Sequence, residues 1–211
     1  MRALTKLIPV ALMLVATVGC GAKKYTYTVP PRIDLTQHEM IGVIEFISSE
    51  EGELGPLATR RFEEVARRDQ GMVRMIEFGT EEQALRSVEG EILDPATFRM
   101  LGTEHNVRTI LRGELTISEI KPDLSIAAAL RSGTLSANVE ATLAVQLIEA
   151  TTGASLWSKS ASAVRTVGQI SVFGGEDFVF DAADPDLAYG ELVNSLVGQV
   201  TRDFHVTYER R

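Results

Sequence analysis

Cysteine is nearly absent from this chain: Cys20 is the only one in 211 residues. A lone thiol excludes an internal disulfide and a thiolate metal cluster. Histidine is scarce as well. His38, His105 and His205 never share the spacing of a zinc-binding helix face, and each reads as a surface or cap residue. No Gly-x-Ser-x-Gly elbow occurs. Gly174-Gly175 lacks the Gly-Lys-Ser/Thr ending of a phosphate loop and reads as a turn. Excess positive charge is missing too: 21 Lys and Arg stand against 29 Asp and Glu, a formal charge of −8. That balance disfavours nucleic acid and anionic headgroups as partners. The acidic pairs Glu50-Glu51, Glu81-Glu82 and Glu176-Asp177 read as solvated. Asp181, Asp184 and Asp186 lack the flanking pattern of a calcium loop. The sequence therefore assigns no catalytic residue, no metal ligand and no cofactor.

What is present begins with a leader. Arg2 and Lys6 give it a basic start, Leu7–Val18 an apolar stretch, and Gly19 a small residue before Cys20. The stretch is shorter than the roughly 20 apolar residues that span a bilayer, and Pro9 interrupts it. This grammar is that of a bacterial lipoprotein signal, cut between Gly19 and Cys20, whose thiol then carries lipid such as palmitate. Thr17 occupies the place where leucine is commonest, so the signal is good rather than ideal. Gly21, in place of aspartate, favours the outer membrane over the inner one. The expected organisation is a signal peptide over 1–19, a lipidated tether over 20–32 and one domain over 33–211.

The domain reads as mixed α/β. Met40–Phe46 is a buried strand, and Leu54, Leu57, Ala58, Phe62, Val65 and Ala66 recur at helical spacing up to about Arg68. Glu63–Arg67 and Glu64–Arg68 are spaced as ion pairs on a solvated helix face. Met72–Phe78 is a second strand. Thr80 and Gln83 form a capping box, and Asp94-Pro95 is a cap followed by proline at the first helical position. The alternation of strand and helix predicts parallel strands. Beyond Val107 the pattern becomes period-two, over Val107–Ile120, Val139–Leu147 and Ala154–Val167, with a turn at Thr151-Thr152-Gly153. That predicts antiparallel strands with one wet face. Asp184-Pro185 opens a last helix through Leu192, Leu196, Val200 and Phe204, expected to pack on the sheet. The whole is a mixed sheet of about five strands with flanking helices. Asp123–Ser136 and Gly168–Ala183 fit neither element type.

Several of these segments resemble a known family. Pro31-Arg32-Ile33-Asp34-Leu35, then Ile41–Phe46, Leu101-Gly102 with Val107–Gly113, and the hairpin Leu147–Trp157 around Thr151-Thr152-Gly153 are similar to a group of bacterial envelope lipoproteins. The group includes the curli-secretion lipoprotein, activators of penicillin-binding proteins and the amino-terminal domain of the Tol-system translocation protein. The resemblance implies a small α/β domain that binds envelope proteins and turns over no substrate. It also raises a ring-forming pore, with Asp123–Ser136 and Gly168–Ala183 as the hairpins. Trp157 reads as core.

The expected function is a periplasm-facing, outer-membrane-anchored lipoprotein. It would hold the membrane through lipid on Cys20 and act as a non-catalytic adaptor or assembly factor for an envelope protein, with homo-oligomerisation open. The alternatives are a subunit of an outer-membrane secretion pore and a cell-wall or glycan hydrolase. Phe173, Phe178 and Phe180, set among glycines and acids, are the expected partner-binding residues. Phe178→Ala and Phe180→Ala should weaken partner capture more than they lower the melting temperature. Equal loss of both would place the rings in the core.

Overall fold

The computed structural model describes residues 25–50, 52–118, 121–123, 134–171 and 185–210. Its first elements are β1 (Thr26–Val29), a 3₁₀ turn (Leu35–His38), β2 (Met40–Ile44), β3 (Ile47–Ser48) and α1 (Leu54–Arg67). Then come β4 (Arg74–Gly79), α2 (Glu81–Ser87), α3 (Pro95–Glu104), β5 (Thr109–Ile117) and β6 (Lys121–Asp123). β7 (Thr134–Glu149), β8 (Ser155–Ser171), α4 (Pro185–Val200), a second 3₁₀ turn (Thr201–Phe204) and β9 (Thr207–Arg210) complete the series.

The chain divides into two compact units. The smaller contains β1 and β9, paired antiparallel from Thr26↔Arg210 to Val29↔Thr207. Tyr27 there donates its hydroxyl proton to the Glu209 carboxylate. Four residues read as polar linker, 26–29, are thus extended and paired.

The larger unit, Pro30–Val206, holds a seven-stranded sheet. Its long strands run in the order β4-β2-β5-β7-β8, with short β3 beside β5 and short β6 beside β7. β2 pairs parallel with β4 and with β5, because helices fill the crossovers between them. β5–β7 and β7–β8 are antiparallel. The mixed α/β reading, parallel then antiparallel, therefore holds. Local signals explain the helix starts. Thr80 Oγ1 accepts from Gln83 N at 3.3 Å, and Gln83 Oε1 accepts from Thr80 N at 2.9 Å, a complete capping box. Asp94 accepts from Thr97 N at 2.8 Å, ahead of Pro95.

Two apolar layers sandwich the sheet. On one face α1, α4 and the second 3₁₀ turn bring Phe62, Ala66, Leu196 and Phe204 onto Val43, Leu111, Leu143 and Leu147. On the other, α2 and α3 bring Ala84, Phe98 and Leu101 onto Ile110 and Ile148. Neighbours such as Ile110 and Leu111 serve opposite layers, as strand alternation requires. Further along β5, Glu114 and Thr116 are exposed, so the second face becomes wet there. Phe46 lies across Gly113: a Cβ at that glycine would stand 2.7 Å from the ring. Gly153 adopts φ 73°, the left-handed conformation the hairpin turn needs.

Three expectations change. Asp123–Ser136 and Gly168–Ala183 are not wholly outside the sheet: Asp123, Thr134–Ser136 and Gly168–Ser171 are paired strand residues, while 124–133 and 172–183 lie outside the described residues. Phe204 belongs to a 3₁₀ turn and not to the last helix. The outer face of α1 is not uniformly solvated. Glu64 pairs with Arg61 at 2.9 Å and not with Arg68. Glu63 is only 6% exposed. One of its oxygens takes Arg67 at 2.7 Å, and the other has no hydrogen-bond partner among the described residues. Burial pushes the Glu63 carboxyl up; Arg67 opposes this and Glu77 adds to it.

Gln70, 4% exposed, joins three separate stretches of chain. Its amide oxygen accepts from Leu35 N at 2.7 Å, and its amide nitrogen donates to Ile33 O at 2.9 Å and Phe204 O at 2.6 Å. Each such bond is worth about 1 kcal/mol net, and more when its loss strands a buried group. Gln70→Ala should therefore reduce unfolding free energy by about 3 kcal/mol in urea titrations. A loss near zero would show that water replaces the amide without penalty.

Candidate functional site

Gly19, Cys20, Phe173, Phe178 and Phe180 all lie outside the described residues. The histidines do not converge. His105 stacks on Phe78 with ring centroids 4.4 Å apart. His205 Nδ1 lies 3.1 Å from Asp69 Oδ2. His38 Nδ1 lies 2.9 Å from Thr109 Oγ1. Burial pushes the His38 imidazole below its ordinary value, against the pull of Asp34.

Two concavities of the larger unit meet at His38. The wider, about 640 Å³, is walled by Pro30, Pro31, Leu156 and Trp157. Trp157 is core, as expected, at 9% exposure. Its ring meets Phe204 edge-on at 4.7 Å, and its Nε1–H donates to Asp203 Oδ2 at 3.2 Å. The same oxygen accepts from Lys159 Nζ at 3.0 Å, and Arg32 stands 3.8 Å from the other oxygen. Asp203 is thus a structural anion behind the indole. Burial alone would raise its pKa, but the hydrogen bonds from Lys159 and Trp157, with the charges of Lys159 and Arg32, hold it below the ordinary value.

The second concavity, about 280 Å³, sits at the sheet end where β2, β4 and β5 begin and β7 finishes. Parallel pairing aligns those starts: Met40 pairs with Arg74, and Ile41 with Thr109. Arg74 opens β4, and Arg108 immediately precedes β5. Arg99 reaches the same rim from α3, its Nε donating to Thr151 O at 3.0 Å. All three arginines line the pocket and are exposed. Glu39 is the one acid in the lining. Among the described residues no carboxylate forms an ion pair with any of the three.

The pocket wall contains unusual backbone. Asn106 follows the His105 C-cap of α3 at φ 52°, and the next N–H, of Val107, returns to Gly102 O at 2.9 Å. Glu39 follows the first 3₁₀ turn at φ 56°, ψ −59°, close to the rare and strained kind of γ-turn. Guanidinium groups keep their charge at neutral pH and present forked donors. The arrangement offers charged hydrogen-bond donors of the kind that suit an oxyanion. Sequence patterning alone assigns no role to Arg74, Arg99 or Arg108. Arg108 lies at the start of the period-two stretch Val107–Ile120, whose pattern predicts antiparallel pairing; the parallel pairing of β5 with β2 is what aligns it with Arg74 at one sheet end.

No protein-family model matches the chain. No curated protein matches it either. Solved structures are similar over much of its length. A PelC dodecamer from Paraburkholderia phytofirmans is 15% identical, over 86% of this chain and 96% of that one, with a TM-score of 0.42. Lipoprotein GNA1162 from Neisseria meningitidis is 16% identical, over 76% and 96%, with a TM-score of 0.38. The LpoB C-terminal domain from Salmonella enterica is 9% identical, over 74% and 93%, with a TM-score of 0.36.

Asp203 yields a signed pH effect. Its depressed carboxyl contributes stability that is present above the ordinary value of 3.8 and lost as pH falls through the folded value. Asp203→Asn should lower the melting temperature at pH 7 by about 3–6 °C. The gap to the unaltered protein should narrow once pH falls below 3.8. A gap constant with pH would show that the charge contributes nothing.

Proposed function

We propose that this protein is an outer-membrane-anchored lipoprotein facing the periplasm, whose domain is a non-catalytic adaptor or assembly factor for an envelope protein. The leader that ends at Gly19-Cys20 carries the reading. It supplies a signal, a cut and an acylation site in one segment. The larger unit supports the binding role. Two of its polar side chains serve the fold: buried Gln70 links chain segments, and half-buried Asp203 braces Trp157 and Lys159. One of its concavities is lined by three arginines that offer charged donors.

A second reading, the secretion-pore subunit, has one observation in its favour. β7 and β8 run for 16 and 17 residues. Among the described residues their outer ends, 134–138 and 166–171, pair only with each other and with β6, as a three-stranded extension. A membrane-spanning strand takes about 9–11 residues. Ring particles and conductance in lipid bilayers would favour this reading over the adaptor.

Labelled palmitate should enter the wild-type protein and not Cys20→Ser, which should leave the membrane fraction. Crosslinked envelopes should then yield a specific protein partner with the wild type. An unlabelled wild type would overturn the anchor. Turnover of cell-wall glycan by purified protein, with no partner captured, would overturn the adaptor.

A further inference from the structure

We propose that the pocket bounded by Arg74, Arg99 and Arg108 is a binding site for a phosphate group. The charge balance argues for a dianion. Three arginines and a single acid, Glu39, line the pocket, in a chain whose overall charge is −8. The cluster reverses the general acidity, so the argument from composition against anionic partners does not apply at this spot. Like charges gathered at one rim repel each other, and an anion among them relieves that repulsion. A phosphate monoester carries about 1.5–2 negative charges at pH 7 and three acceptor oxygens, which matches forked donors arriving from three elements.

The geometry favours a small ligand. A cavity of about 280 Å³ holds a phosphate and a few further heavy atoms, but no polymer. Its walls are built in advance. Arg99 is braced by Thr151 O. Asn106 and Glu39 hold positive φ at the ends of a helix and a turn. His38 is fixed beside Thr109 Oγ1. Arg74 and Arg108 remain without an ion pair among the described residues, and both border the cavity. The phosphate could belong to a soluble monoester or to a lipid headgroup; the pocket reads the shared chemistry. This inference stands apart from the leader and from the adaptor reading, so either can fail alone.

The test is calorimetric titration of the full protein in mild detergent at low salt. The probes are glycerol phosphate, short-chain phosphatidate, short-chain phosphatidylcholine as the neutral-headgroup control, and succinate. Glycerol phosphate should bind saturably. Arg74→Gln and Arg108→Gln should each weaken it about tenfold or more, with melting temperatures unchanged because both side chains are exposed. Arg60→Gln, exposed on α1 and away from the lining, should leave affinity unaltered. Phosphatidate binding with the same arginine dependence, without binding of phosphatidylcholine, supports the site and assigns a headgroup source. Binding of glycerol phosphate alone supports the site and assigns a soluble source. Absence of saturable binding by both phosphates overturns the proposal. So does an equal loss in Arg60→Gln, or succinate binding as tightly as phosphate.

Discussion

The larger unit depends on one buried amide. Gln70 lies just past the end of α1, and its side chain holds Ile33 and Leu35 on one side and Phe204 on the other. These contacts bridge 35 to 134 residues of sequence. One backbone bond, from Ile33 N to Asp203 O, joins the outer two stretches, and the Gln70 side chain satisfies Ile33 O, Leu35 N and Phe204 O inside the apolar layer. The amide suits this task because it offers an acceptor and two donors without charge. It also fixes the segment before the first 3₁₀ turn, and that turn carries His38 to the junction of both concavities.

Asp203 works beside it with charge. It draws Trp157, Lys159 and Arg32 towards one carboxylate, while its own carbonyl accepts from Ile33 N at 3.0 Å. The two residues close the same region from adjacent positions, one neutral and deeply buried, one ionised and partly wet. Glu63 shows the opposite case. It has one paired oxygen, one unpartnered oxygen and an unfavourable neighbour in Glu77, so burial raises its pKa. Similar carboxylates thus differ by what the fold places around them.

Much of the architecture was legible in short stretches of sequence. The Thr80–Gln83 box and the Asp94 cap were readable because both partners stand within three residues of each other. The turn at Gly153 was readable because glycine tolerates positive φ. The strands of the second half declared themselves by alternation. The arginine pocket was not legible. Arg74, Arg99 and Arg108 share no local spacing, and each looks like an ordinary exposed cation in its own element. Nor did helix periodicity foretell the burial of Glu63, since that depends on what β4 sets against α1. The leader and the aromatic segment Phe173–Phe180 rest on sequence alone, outside the described residues.

The sequence by itself determined the element types, the capped helix starts and the change from parallel to antiparallel pairing. These follow from side-chain periodicity, backbone preference and hydrogen bonds that close within a turn. Tertiary structure alone decided which polar groups became buried, how Gln70 joined distant segments, and which cations gathered at the start of the parallel strands. Those outcomes depend on register and crossover, which bring together residues tens of positions apart. Local sequence carries no record of such distances until the sheet is built.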